Sequence, residues 1–434
     1  MTAAVRINTS HINEWNPLMH FDSMKELFIA RKNGDREALK AVPPVTVEID
    51  PVDHCNHACQ WCFTASHRET DIMPADAVKR LVIALGRWGV RSVHFAGGGE
   101  ATLLKNFARL RASFAPSTEP GSETVLDTVA AANMVAGLIT NGSTLRILDT
   151  AALAEKVSWI RVSIDAGSEQ RYKVKHRPKG HTLSDVHRGL EAMVKVRGTR
   201  AYPTLGASFI FEENTPEMME EIRAFARDMA NLKIDYIQIK PENFNRGPDA
   251  EQFLRMISVM LDEDLAGSTT FATINLPHAD ADDAKYCWYS HVGPVVGATG
   301  DVYACCYTYG ITAFKLGNVL SDAAGFDGVW AGDERLRASE AIEPKRCQSC
   351  RHTSFNRMAD KLYELGEEIW DWLAAELHAA RSGKPESEVE YPANALWLRP
   401  GLRQFEHLQR SGANSITDYP VFRPTHFINA SVPV

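Results

Sequence analysis

Three cysteines, Cys55, Cys59 and Cys62, stand in the stretch DPVDHCNHACQWCFTASHRE with three and then two residues between them. A structural zinc or a fully ligated iron–sulfur cluster takes four protein ligands. Three close thiolates therefore either leave one iron of a four-iron cluster open to another group, or recruit His54 or His57 to complete a zinc site. A second set follows far downstream: Cys287, Cys305, Cys306, and the pair Cys347-x2-Cys350. Two distant pairs can supply the four thiolates that one further cluster or one zinc needs. Other groups able to act on a ligand sit where apolar runs end. They are the glycine run Gly97, Gly98, Gly99 with Glu100, then Asn141, then Ser163 and Asp165, then Lys240 and Glu242, with His94 inside one of the runs.

The elements that must position these groups alternate. VTVEID reads as a strand, PADAVKRLVIALGRWG as an amphipathic helix with Pro in its first turn and Gly at its end, and VRSVHFAGGGE as a strand entering a glycine loop. LITNGS, WIRVSIDAG, TLGASFIF and DYIQIKPE give four more β-branched runs, separated by helical patterns such as LSDVHRGLEAMVKVRG and PEMMEEIRAFARDMANL. Strands that alternate with helices pair in parallel through right-handed crossovers, so the expected class is α/β, a partial (β/α)6 TIM-like barrel. Its active residues belong at the C-terminal strand ends. The stretch from Phe114 to Ala136 exceeds an ordinary crossover and is expected to hold an extra helix.

Residues 1–44 read as a leader with one helix, DSMKELFIARKNG, and 45–276 as the barrel. Residues 277–355 change to cysteines, aromatics and short strands, and 356–434 begin with one long helix over ADKLYELGEEIWDWLAAELHAAR. Trp397, Phe405, Tyr419, Phe422 and Phe427 predict that the remaining tail packs on the body. A net charge of -8 argues against a nucleic-acid or anionic-membrane partner. With neither a secretory signal nor a membrane-spanning run, the expected location is the cytoplasm, where clustered thiols mean metal or redox chemistry.

Cys55-x3-Cys59-x2-Cys62, with aromatic Trp61 before the last cysteine and a first barrel strand before the loop, resembles the signature of the radical S-adenosylmethionine (SAM) superfamily. The resemblance implies a [4Fe-4S] cluster on Cys55, Cys59 and Cys62 whose open iron is chelated by SAM. It places the SAM amino group at Gly97–Glu100, with Asn141, Ser163 and Asp165 near the carboxylate and ribose. For Asn141–Gly142 a plain turn, and for Asp165 a helix cap, stand as alternatives. The element Gly300-x4-Cys305 in GDVYACC, with LGNVLSD and Trp330 after it, resembles the auxiliary-cluster domain called SPASM. Its full version uses about seven cysteines for two clusters. Five are available here, so the shorter Twitch form is the better match, with one cluster on Cys287, Cys305, Cys347 and Cys350; the four-residue gap favours Cys305 over Cys306.

The resemblance implies two [4Fe-4S] clusters and SAM, with an electron donor such as flavodoxin or ferredoxin. The domain pattern looks most like the dehydrogenases of aminoglycoside biosynthesis, which oxidise a carbinol of an amino sugar or aminocyclitol. Glu242, Lys240 and His94 are then candidates for the base that removes the hydroxyl proton. A sugar diol dehydratase, a peptide-modifying enzyme and a zinc-binding interaction protein are the alternatives.

Overall fold

The computed structural model describes residues 5–8, 16–62, 64–65, 70–111, 123–200, 202–242, 248–275, 284–347, 350 and 352–410. The six expected strands form as β2 (Thr46–Ile49), β3 (Ser92–Phe95), β4 (Val135–Thr140), β5 (Val157–Ser163), β6 (Thr204–Phe211) and β7 (Tyr236–Pro241), preceded by β1 (Val5–Asn8) and followed by β8 (Phe271–Asn275). Three short strands complete the sheet: β9 (Val295–Val296), β10 (Asp301–Tyr303) and β11 (Lys315–Asn318). Their spatial order is β1-β8-β7-β6-β5-β4-β3-β2-β9-β10-β11, so the barrel stays open. Pairing is parallel from β1 to β9 and antiparallel through β10 and β11.

Buried β-branched runs make the strands, and amphipathic helices cover them. The helix Ala75–Arg87 turns Val78, Leu81, Val82 and Leu85 inward at helical spacing. Leu183–Arg197 starts on a capping box of Thr182 and Asp185, and Pro216–Asn231 on a Thr215 cap with Pro at its first position. Of the Phe114–Ala136 stretch, the described part holds the expected helix, Val125–Ala131.

Three details depart from the sequence reading. The leader carries a strand, because β1 pairs with β8 at the barrel's far edge, and it carries three helices, Asn16–Met19, Phe21–Lys32 and Arg36–Ala41, where one was expected. The single long helix is two, Thr353–Leu365 and Glu367–Arg381, broken at Gly366, whose φ of 81° and ψ of 173° leave the helical region. The change of pattern near residue 277 is no break in the sheet, since β9 pairs in parallel with β2. The barrel core runs on into the C-terminal part through Val296, Val302, Leu316 and Trp330. A second core joins the leader to the tail helices, with Phe28 between Trp288, Tyr363 and Trp370. Phe405 is buried in it and Trp397 packs against it, while Tyr419, Phe422 and Phe427 lie outside the described residues. Among the described residues, no helix is long and apolar enough to cross a membrane.

Candidate active site

The cysteine loop leaves β2 at its C-terminal end and is tied down before the first thiol. Asp53 N–H donates to the Asp71 carbonyl at 2.9 Å, and Met73 N–H to that of Pro51 at 2.9 Å. The loop then rests on the end of the helix Glu169–His176, with Ala58 N–H donating to the His176 carbonyl at 3.0 Å. Cys55, Cys59 and Cys62 line one cavity of about 280 Å³ at the C-terminal rim of the sheet. Trp61 shares that wall and carries the Lys175 ammonium 5.2 Å from its ring centre.

Sequence reasoning named His57 beside this loop but missed His176 and His181. His176 Nδ1 lies 3.2 Å from Cys59 Sγ, and His57 Nδ1 lies 4.0 Å from it. His57 in turn meets His181, Nε2 to Nε2, at 2.5 Å. His176 and His181 sit more than a hundred residues after the loop, so no spacing rule could find them. Of the two histidines proposed for a zinc site, His57 reaches Cys59, whereas His54 is exposed. A site of His57, Cys59 and His176 would leave Cys55 and Cys62 unused on the cavity wall.

The glycine run at the end of β3 is demanded by the cysteine loop. Gly99 N–H donates to the Val52 carbonyl at 2.7 Å, and Glu100 N–H to that of His54 at 3.0 Å. A Cβ on Gly99 would run into the His54 carbonyl oxygen, and one on Gly98 into the Asp53 carboxylate. Thr64 Oγ1 donates to the Gly98 carbonyl at 2.8 Å and lies 3.2 Å from Cys62 Sγ, so the two loops share one hydrogen-bonded seam. Glu100 is buried and accepts from Asn141 N–H at 2.8 Å, Thr140 Oγ1 at 2.7 Å and Thr102 Oγ1 at 2.5 Å. Burial still pushes its carboxyl above the usual range.

The later strand ends converge on the same cavity. Asn141 donates through Nδ2 to Asn56 Oδ1 at 2.8 Å and stands 3.7 Å from Cys55 Sγ. The turn reading holds as well, because Gly142 has φ of 76°. Asp165 does not cap the helix after it; Ser168 does. Its Oδ1 accepts from Ile210 N–H at 2.7 Å and its Oδ2 lies 3.4 Å from His176 Nε2. Ser163, Lys240 and Glu242 line the cavity, as does buried Arg161, which sequence reasoning passed over as a strand residue. His94 is not on the wall. Its Nε2 holds Glu48 at 2.8 Å, and Glu48 is the member of that pair that lines the cavity.

The auxiliary cysteines converge next door. Cys287 follows the barrel, and Cys305 follows the β9–β10 turn, where Gly300 takes a φ of 84°. Cys287 lies close enough to Cys305, Cys350 and Cys347 for each to oppose its ionisation. Burial pushes Cys287 up, and pushes Cys305 to about 12 with Cys350 adding to it. Only a bound cation would make such packed thiols into thiolates, which suits a metal-ligand set. Cys306 goes elsewhere, lining the barrel cavity with Tyr307, its Sγ 3.7 Å from His352 Nε2.

Residues 49–226 match the family model described as the Radical SAM superfamily, and residues 287–352 match one described as an iron-sulfur cluster-binding domain, SPASM. Among solved structures, Streptococcus suis SuiB bound to its precursor peptide SuiA aligns with a TM-score of 0.52 and 14% identity, over 74% of this chain and 74% of that one. SuiB bound to S-adenosylmethionine aligns at 0.50 and 14% over 68% of each chain. Native anSMEcpe with bound AdoMet and a Kp18Cys peptide aligns at 0.50 and 17%, over 73% of this chain and 88% of that one. Identities this low speak for the fold alone: a partial TIM-like barrel with a C-terminal SPASM domain. No curated protein matches the chain. The donor sets fit the groups these domains carry. Three thiols on one cavity leave a cluster position open beside a glycine edge, and Cys287, with Cys305, Cys347 and Cys350 close enough to act on it, belongs to a group of four thiols that can close a second cluster.

Proposed function

We propose that this chain, a radical SAM superfamily enzyme with a SPASM auxiliary-cluster domain, oxidises a carbinol carbon of an amino sugar or aminocyclitol to a ketone. When bound, the [4Fe-4S] cluster and SAM supply a 5'-deoxyadenosyl radical able to remove a hydrogen atom from an unactivated carbon. Cys55, Cys59 and Cys62 would hold that cluster. Gly97, Gly98 and Gly99, with Asn141, Ser163 and Asp165, would hold SAM, while Glu100 fixes the glycine edge and Trp61 shields the loop. Cys287, Cys305, Cys347 and Cys350 would hold the auxiliary cluster.

One observation supports the oxidative reading: the residues that follow Cys305 directly reach the cavity. Cys305 is assigned to the auxiliary set, and the next two residues, Cys306 and Tyr307, line the cavity. A cluster closed by four thiolates offers no iron to a substrate, so its use beside a cavity is to take an electron. A carbon radical next to a hydroxyl releases that electron readily once the hydroxyl proton has gone. Glu242, Lys240 and Glu48 line the cavity and are candidates to take it, with His94 a positioning residue that orients Glu48. The carboxylates of Glu48 and Glu242 also suit a substrate bearing ammonium groups. A flavodoxin or ferredoxin would supply electrons in a cytoplasmic setting, with neither nucleic acid nor membrane as partner.

The test is anaerobic turnover of the reconstituted enzyme with SAM, dithionite and a panel of aminocyclitols and amino sugars. The expected product has lost two hydrogens, and replacing Cys347 and Cys350 with Ala stops that oxidation while 5'-deoxyadenosine still forms. A product that has lost water, or turnover of peptides alone, would overturn the reading.

A further inference from the structure

Five of the nine residues 171–179, RYKVKHRPK, are lysine or arginine, in a chain whose net charge is -8. The stretch ends the helix Glu169–His176 and lies against the cysteine loop. Gln60 N–H donates to the Lys175 carbonyl at 2.9 Å, Lys179 N–H to that of Asn56 at 2.9 Å, and Lys175 Nζ to Gln60 Oε1 at 3.1 Å. Arg146 adds an exposed cation close enough to His181 to oppose its protonation. Arg171 and Lys175 pair with Glu212, and Lys173 with Glu169. Arg146, Arg177 and Lys179 are exposed, and among the described residues none of the three pairs with a carboxylate. A helix C-terminus favours cations in its last turn, which accounts for Lys173 and Lys175; Lys179 and Arg146 lie outside that turn. In the same stretch Val174 is 55% exposed. Clustered like charges around an apolar side chain, on a chain of net negative charge, suit an acidic protein surface.

We propose that Arg146, Arg177 and Lys179, with Val174, form the docking surface for a small acidic protein that carries one electron to the cysteine loop. There the carrier loses one electron and the cluster gains it; no bond forms or breaks. The net negative charge of the chain repels such a carrier elsewhere, so these cations both draw it in and orient it. The landing site is one loop away from the first three cysteines, because Asn56 and Gln60, which the basic stretch holds, follow Cys55 and Cys59 directly. The inference rests on the radical reading, which calls for such a carrier, and on neither the substrate nor the auxiliary set.

The test measures 5'-deoxyadenosine released from SAM by the reconstituted enzyme. One arm is driven by limiting reduced flavodoxin, the other by dithionite, which needs no docking. Wild type is compared with the variant Arg146→Glu, Arg177→Glu, Lys179→Glu. A control variant, Lys233→Glu, Lys361→Glu, reverses exposed charges on the turn before β7 and on the tail helix Thr353–Leu365. We expect the triple variant to lose about tenfold in flavodoxin-driven release at low ionic strength while keeping the wild-type dithionite rate and iron content. Added salt slows flavodoxin-driven release by the wild type and changes that of the triple variant little. Unchanged flavodoxin-driven release in the triple variant overturns the proposal, and so does an equal loss in the control variant or with dithionite. No 5'-deoxyadenosine from the wild type with dithionite would instead overturn the radical reading beneath it.

Discussion

Glu100 shows what one side chain does for the site. Its carboxylate joins the glycine edge to β4 by accepting from Thr140 and from the Asn141 backbone, yet burial raises its pKa above the ordinary 4.5. The folded chain thus holds that proton more tightly than the unfolded chain. The associated stability is complete below about pH 4.5 and is lost as pH rises through the folded-state value. Buried Asp50 is raised as well and adds to the same slope, chiefly through burial. We therefore predict that Glu100→Gln makes the fall in unfolding free energy with rising pH shallower, measured by denaturant titration at a series of pH values. An unchanged slope would show that the Glu100 proton is bound equally in both states. At this scale, cysteines and glycines were legible in the sequence because their chemistry depends on close spacing. Glu48, Arg161, His176 and the cavity-facing Cys306 were not, since only the fold brings them from separate segments to one wall.

At the element scale, the leader helix Phe21–Lys32 joins the leader to the tail helices. It buries Phe28 completely, with ring centroids 4.9 Å from Trp288 and 5.4 Å from Trp370. Trp288 adjoins Cys287 and donates to Asp360 Oδ1 at 2.7 Å, and Asn356 of the same tail helix approaches Cys287 Sγ at 3.9 Å. Leader and tail thus brace the first auxiliary cysteine together. Phe28→Ala should cost about 3–5 kcal/mol and let a chelator strip the auxiliary iron faster than wild type. Denaturant midpoints and timed iron release check both, and wild-type release in a destabilised variant would separate this core from the cluster. The six barrel strands and their helices were legible because β-branched runs and capped amphipathic patterns repeat. Strands β1 and β8 were not, being short runs: β1 pairs only with β8, across the chain's length, and β8 sits between it and β7. The helix break at Gly366 was hidden because its flanks keep an apolar face through the glycine.

For the whole molecule, one open sheet carries both sets of cysteines. The barrel strands bring Cys55, Cys59 and Cys62 to their C-terminal rim, and β9 to β11 extend the sheet past β2 toward the auxiliary set. Their order along the chain was legible from cysteine spacing; that Cys306 and Tyr307, next to Cys305, line the barrel cavity was not, because that placement depends on β9 pairing with β2. The central claim is that two clusters flank one radical-generating cavity. The most direct measurement compares reconstituted wild type with the Cys55→Ala, Cys59→Ala, Cys62→Ala variant for iron content and for 5'-deoxyadenosine release with SAM and dithionite. The account predicts about eight irons in the wild type and about four in the variant, one four-iron cluster remaining, with release abolished. Cleavage of SAM by the variant, or a wild type that takes up zinc and no iron, would contradict it.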